Sequence, residues 1–253
     1  MFPVPRITES FVDSVIYKMG WYRYTDKYPV VERQLNADYL TPDGIAELKI
    51  FEEEGLLKKE HQEKLSALYE EFLVTGDEVD IEIENVPEKI LRAFENQVAK
   101  PFQNAIKKSS KQIRQSSAVT GNTGDKIIIA VNNGFSYLNA DNFERIFVAR
   151  CKRDSRSIDY AACITVDYHQ GDFDAYIFCT TRVHQVNAKK AWHCEDEFVN
   201  LVGKKFNDAM TIMMQDQLNP SLWEGSLEPV KDIRFERAGV KYVREAPFVP
   251  DSR

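Results

Sequence analysis

Three charged residues around a short turn have the types and spacing needed for hydrolytic chemistry. Asp38 precedes the turn Thr41-Pro42-Asp43-Gly44, and Glu47 and Lys49 follow it. Residues i and i+2 of a strand share a face, so Glu47 and Lys49 are expected to project side by side. Proline presets φ in such a turn, and Gly44 is expected to supply a positive φ at its end. A hairpin closed at this turn would return Asp38 to the side of Glu47.

These groups form a predicted magnesium site. The carboxylates of Asp38 and Glu47 and the backbone carbonyl of Leu48 are hard oxygen ligands of the kind that Mg²⁺ prefers, with Mn²⁺ as a substitute. Lys49 would orient or help to deprotonate an attacking water and would stabilise charge on a phosphate. This chemistry suits phosphodiester hydrolysis. An ion-pair ladder on a solvent-exposed sheet face would explain the same three residues without catalysis.

The surrounding pattern predicts a mixed α/β chain. We predict helices at residues 8–19, with Thr8 as the N-cap, and at 58–74, 87–99, 101–116, 139–151 and 195–218. Strands are predicted at 45–51, 76–86 and 126–131, at 158–166 and 173–181 as two buried strands, and at 233–237 and 240–244. No clean linker divides the 253 residues, so we expect a single domain.

Charge is distributed unevenly along the chain. The net charge is −7, which excludes proteins that coat nucleic acid by bulk charge but not nucleases with a local basic surface. Residues 96–124 contain no Asp or Glu, and their positive charges are Lys100, Lys107, Lys108, Lys111 and Arg114. If the chain cleaves nucleic acid, Lys107, Lys108, Lys111 and Arg114 are expected to contact the phosphate backbone. Otherwise they form a solvated helix face.

Asp38, the Glu47-Leu48-Lys49 tripeptide and the αβββαβ order around them resemble the PD-(D/E)XK nuclease superfamily, which has the restriction-endonuclease-like fold. The resemblance covers residues 8–166. It implies an α/β core with a mixed central sheet flanked by helices, and a Mg²⁺-dependent endodeoxyribonuclease of restriction, repair or phage defence. It also implies Glu9 on the first helix and Gln112 on the later basic helix as catalytic-site residues. Asn36-Ala37 stands where a proline often precedes the aspartate, and an acidic insertion occupies residues 56–86.

The nuclease interpretation assigns residues 8–181 to the core of one domain spanning 1–253, and 187–253 to a C-terminal helical extension. Two other interpretations stay open. One is a non-catalytic scaffold or partner-binding domain that keeps the fold and forms a homodimer through the helix at 195–218. The other is an acidic mimic of DNA, in which the basic helix would be covered.

Composition limits the location of the protein. No apolar run reaches the roughly 18 residues needed to span a bilayer, and the first ten residues lack a signal-peptide pattern. The four cysteines include no CxxC pair, which fits a reducing compartment. We therefore expect a cytoplasmic protein without membrane association. The run His193-Cys194-Glu195-Asp196 has no evident second ligand pair, and we expect it to be structural.

Overall fold

Helices and strands alternate along most of the chain. The computed structural model describes residues 6–29, 35–51, 55–73, 76–133, 138–170, 175–215 and 233–244. The helices are α1 (Glu9–Lys18), α2 (Tyr24–Lys27), α3 (Lys59–Tyr69), α4 (Glu88–Val98), α5 (Lys100–Thr120), α6 (Ala140–Asp154) and α7 (Glu195–Gln215). The strands are β1 (Tyr22–Arg23), β2 (Tyr39–Thr41), β3 (Gly44–Phe51), β4 (Glu78–Asp80), β5 (Asp125–Asn132), β6 (Tyr160–Gln170), β7 (Ala175–Gln185), β8 (Ile233–Arg237) and β9 (Val240–Arg244).

The main sheet contains six strands in the order β1-β2-β3-β5-β6-β7. Strands β1, β2 and β3 are successively antiparallel, β5 and β6 run parallel to β3, and β7 returns antiparallel to β6. This is a mixed central sheet, as predicted. Strand β7 lies at its edge, and its residues 177–185 are partly or fully exposed. The prediction of a buried strand at 173–181 was therefore wrong about burial, because an edge strand is covered less than a central one.

Apolar side chains cover both faces of the sheet. On one face, α1 and α7 pack against Ala46 and Leu48 of β3. On the other face, α5 and α6 pack against Ile45 and Phe51, the alternate residues of the same strand. The period-two pattern of β3 thus assigned its faces correctly, and it places Glu47 and Lys49 beneath α5.

The hairpin between β2 and β3 depends on close contact between two chain segments. The Asp125 N–H donates to the Asp43 carbonyl at 2.9 Å. A Cβ atom at Gly124 would lie 1.6 Å from that carbonyl oxygen. A Cβ atom at Gly44 would lie 2.4 Å from the backbone carbonyl oxygen of Asp125. Gly44 does not have the positive φ that we expected; it is needed because only glycine leaves room for the neighbouring backbone.

The acidic insertion and the end of the described chain meet in a second sheet. Its order is β4-β9-β8, with β4 parallel to β9 and β8 antiparallel to it. The strand predicted at 76–86 is shorter than expected, and the strands predicted at 233–237 and 240–244 are confirmed. The C-terminal extension therefore contains a β-hairpin as well as a helix. Within the described ranges, every helix is too short or too polar to cross a membrane.

Candidate active site

The register of the hairpin places Asp38 opposite Glu47. Tyr39 pairs with Ala46, so the next residues outward along the same register are Asp38 and Glu47. The Leu48 N–H donates to Asp38 Oδ2 at 2.7 Å. The N–H and C=O of one strand residue point to the same edge, and the Leu48 carbonyl therefore also lies on the Asp38 side of β3.

Glu47 is a buried carboxylate with one unused oxygen. Its side chain is 0 % exposed, and Lys49 Nζ contacts Oε1. Oε2 is buried and has no hydrogen-bond partner among the described residues. Burial, followed by the charge of Asp38, raises the pKa of Glu47 to about 8, although Lys49 acts in the opposite direction. The ladder on a solvent-exposed face is therefore excluded, because this carboxylate is inside the protein.

Asp38 shares this environment. Burial raises its pKa, and the hydrogen bond from Leu48 and the charge of Lys49 partly offset that effect. Asp38 and the Lys49 side chain are partly exposed, unlike Glu47. Solvent therefore reaches the site from the side of Asp38 and Lys49. Two neighbouring carboxylates with raised pKa values and a single lysine are costly to bury, and such arrangements are concentrated at functional sites.

Glu9 lies near this group but is held by an arginine. Its Oε1 is 2.7 Å from Arg23 Nη1, and its charge contributes to the raised pKa of Asp38. The Arg23 guanidinium also binds Asp13, with 3.0 Å between Nε and Oδ1, and Tyr39 donates its hydroxyl to the same Oδ1 at 2.8 Å. Sequence reasoning missed Arg23, because its acidic partners lie on a different element and no local spacing indicates them.

Gln112 lies behind the hairpin rather than among the lysines. Its Nε2 donates to the Asn36 carbonyl at 2.7 Å, two residues before Asp38. Its Oε1 is buried without a partner among the residues that the structure covers. Four residues later on α5, Ser116 Oγ accepts from the Ala37 N–H at 2.8 Å. The resemblance implied Gln112 as a catalytic-site residue; its side chain is buried and fixes the chain leading to Asp38.

The basic face of α5 is exposed to solvent. Lys107, Lys108, Lys111 and Arg114 all point outward. In the described part of the chain none of the four forms an ion pair with an acidic side chain. The DNA-mimic interpretation required this helix to be covered, and that expectation is not met. Four exposed cations on one helix are available to phosphates.

A second charged group lies at the opposite end of β3. His193 Nε2 is 3.0 Å from Asp43 Oδ2, and Nδ1 is 3.7 Å from Asp125 Oδ2. The two aspartates are the partners that the sequence run at 193–196 lacked, and they come from the hairpin turn and the start of β5. The His193 and Asp43 side chains are more than half exposed. Surface ion pairs of this kind are common in proteins, and a bound metal ion is not needed to explain this one.

The residues around Asp38 fit a hard divalent cation. They offer the unused Glu47 Oε2, the Asp38 carboxylate and the Leu48 carbonyl, which are all oxygen ligands. Glu9 forms an ion pair with Arg23, and Gln112 donates to the Asn36 carbonyl, so neither side chain is counted among these ligands. Comparison with protein-family models, with curated proteins and with solved structures finds no match for this chain.

Proposed function

We propose that the protein is a Mg²⁺-dependent nuclease that hydrolyses phosphodiester bonds of DNA. The observation that carries the proposal is that Asp38, Glu47 and Lys49 lie together at β3, with Glu47 Oε2 buried and without a partner in the described residues. An orphaned carboxylate oxygen inside a protein is destabilising unless a ligand satisfies it. A divalent cation is the ligand that this donor set suits.

Each residue has a distinct role in the proposed reaction. Asp38, Glu47 and the Leu48 carbonyl would hold the ion. The bound ion would lower the pKa of a water and offset charge developing on the phosphate. Lys49 Nζ, held beside Glu47, would orient that water and stabilise the phosphoryl oxygens. Gln112 and Ser116 would keep the chain before Asp38 in place, and the cations of α5 would bind the backbone of the substrate.

The order of elements supports the same proposal. Helix α1 precedes three antiparallel strands, and α5 leads into β5, which lies parallel to β3. This is the αβββαβ order expected of a restriction-endonuclease-like core, with α2 and the α3-β4-α4 segment as additions. Asp38 lies immediately before β2, and Glu47 and Leu48 lie on β3.

The test is cleavage of plasmid DNA with Mg²⁺ or Mn²⁺. We expect nicking or linearisation by the native chain and none by the Glu47→Ala/Lys49→Ala double variant. A matched double variant on α3, Glu60→Ala/Lys64→Ala, should cleave like the native chain, because both residues are exposed on a helix that packs against α4 and β8. Equal cleavage by both double variants would eliminate this site.

A non-catalytic scaffold that keeps this fold is the second candidate. It is favoured by the contact between Lys49 and Glu47, which partly neutralises the buried carboxylate without an ion. Calorimetry with MgCl₂ and MnCl₂ separates the two proposals. Absence of binding, together with a stable oligomer by light scattering, would select the scaffold, and binding abolished by Glu47→Ala would select the nuclease.

A further inference from the structure

A groove between α6 and the edge strand β7 contains charged groups that the proposed nuclease reaction does not use. Its volume is about 400 Å³, within the range of small-molecule sites. One face of α6 and two side chains of β7 form its walls: Asp141, Glu144, Arg145, Val148, Ala149, Lys152, Arg182 and His184. The register Glu47-Ile128-Ala161-His184 separates it from the candidate active site by three strand spacings, or about 14 Å.

Glu144 is the buried centre of the groove. Its side chain is 5 % exposed, and Oε2 lies 3.1 Å from both Arg182 Nη1 and His184 Nε2. Both side chains are within hydrogen-bonding distance of this oxygen. The second oxygen, Oε1, is buried and has no partner among the described residues. Glu144 lines the groove, so the groove wall holds one buried acceptor without a donor among the described residues.

The same groove also offers unused donors. Arg182 contacts Glu144 and Asp141 through Nη1 alone, at 3.1 and 2.8 Å, and its side chain is 52 % exposed. Its Nε and Nη2 groups have no acceptor within the described ranges. Lys152 is exposed on α6, again with no ion pair to a described residue. Arg145 is less available, because Glu95 binds its Nη1 at 2.5 Å.

We propose that this groove binds a protonated phosphate group, either inorganic phosphate or a phosphate monoester. Such a group combines negative oxygens, which Arg182 and Lys152 would bind, with one P–O–H that would donate to Glu144 Oε1. Sulfate and phosphodiesters have no proton to donate at neutral pH, and the Glu144 charge would repel them. Glu144 thus gives selectivity by rejecting the unprotonated anion. This site goes beyond the proposed nuclease function and does not depend on it.

The test is titration calorimetry of the full chain with sodium phosphate and with sodium sulfate, at pH 7, equal ionic strength and in EDTA. We expect phosphate to bind at least tenfold more tightly than sulfate. Glu144→Gln should bring the ratio close to one, because an amide can donate to either anion. Lys152→Ala should weaken phosphate binding several-fold. Because Lys152 is exposed, this substitution should not unfold the protein, and unfolding would not explain the loss of binding. Glu60→Gln and Lys64→Ala, on α3, are the matched controls and should bind like the native chain.

A second arm distinguishes the sources of the phosphate. At pH 6, about half of a terminal phosphate carries a proton. Tighter binding of a 5′-phosphorylated oligonucleotide than of its 5′-hydroxyl counterpart would indicate a monoester ligand, and equal binding of the two would leave inorganic phosphate. Absence of phosphate binding, equal affinity for phosphate and sulfate, or a ratio unchanged by Glu144→Gln would overturn the proposal, whatever the outcome of the DNA cleavage assay.

Discussion

Replacing Glu47 with glutamine removes the charge whose burial dominates the candidate active site. The pKa of Glu47 rises from 4.5 to about 8 on folding. Between these values the folded protein holds a proton that the unfolded chain has lost, so the free energy of unfolding falls by about 1.4 kcal/mol per pH unit. The stabilisation from this proton is complete below pH 4.5 and is lost as the pH rises through about 8.

The magnitude follows from the same linkage. Between pH 6.5 and 8.5, Glu47 should reduce the free energy of unfolding by about 2 kcal/mol. Glutamine at position 47 carries no charge at either pH. The free energy of unfolding of Glu47→Gln should therefore fall by about 2 kcal/mol less than that of the native chain over this interval. The assay is urea unfolding in EDTA at both pH values. Glu60→Gln, an exposed residue of α3, is the control and should follow the native chain.

Magnesium should reverse this loss in the native chain only. At a concentration 100 times its dissociation constant, a ligand that binds only the folded state stabilises it by about 2.7 kcal/mol. We expect that gain at pH 8.5 for the native chain and little for Glu47→Gln. Identical pH dependence of the native chain and Glu47→Gln would show that Glu47 is charged in the folded state at neutral pH, and would refute the electrostatic reasoning.

Three further substitutions test the elements around the site. Lys107→Ala/Lys111→Ala should leave stability within about 0.5 kcal/mol of the native value. It should also make the plot of log binding constant against log salt concentration less steep. The slope should decrease in magnitude by about 0.9 for each phosphate that the two lysines neutralise in the native chain, measured by fluorescence anisotropy in EDTA. Gln112→Ala should cost about 1–3 kcal/mol in urea unfolding, because it leaves the Asn36 carbonyl without its donor, and should slow DNA cleavage, whereas Gln103→Ala should do neither. Phe102→Ala should cost about 3–5 kcal/mol, because Phe102 is buried against Phe51 and Phe143 with ring centroids 4.9 and 5.3 Å away; a loss below about 1 kcal/mol would contradict this packing.

Local sequence signals predicted the hairpin well. The turn residues set the register at Thr41 and Gly44, and alternation along β3 then decided which side chains share a face. Both signals act over a few residues. For that reason the proximity of Asp38, Glu47 and Lys49 could be inferred before any tertiary contact was known.

Long-range features were not predictable in the same way. The orientation of Gln112 depends on the packing of α5 against residues 76 positions earlier. The partners of His193 come from the hairpin turn and from β5. The exposure of β7 depends on its being the last strand of the sheet. In each case the deciding contact joins distant segments, and no periodicity in the sequence records it.

The position of a bound metal ion tests the nuclease proposal most directly. Crystals soaked in MnCl₂ and measured at the manganese absorption edge would locate the ion by anomalous scattering. We predict a peak about 2.0–2.3 Å from oxygens of Asp38 and Glu47 and from the Leu48 carbonyl. A peak only at Asp43, Asp125 and His193, or no peak in the protein, would contradict the account.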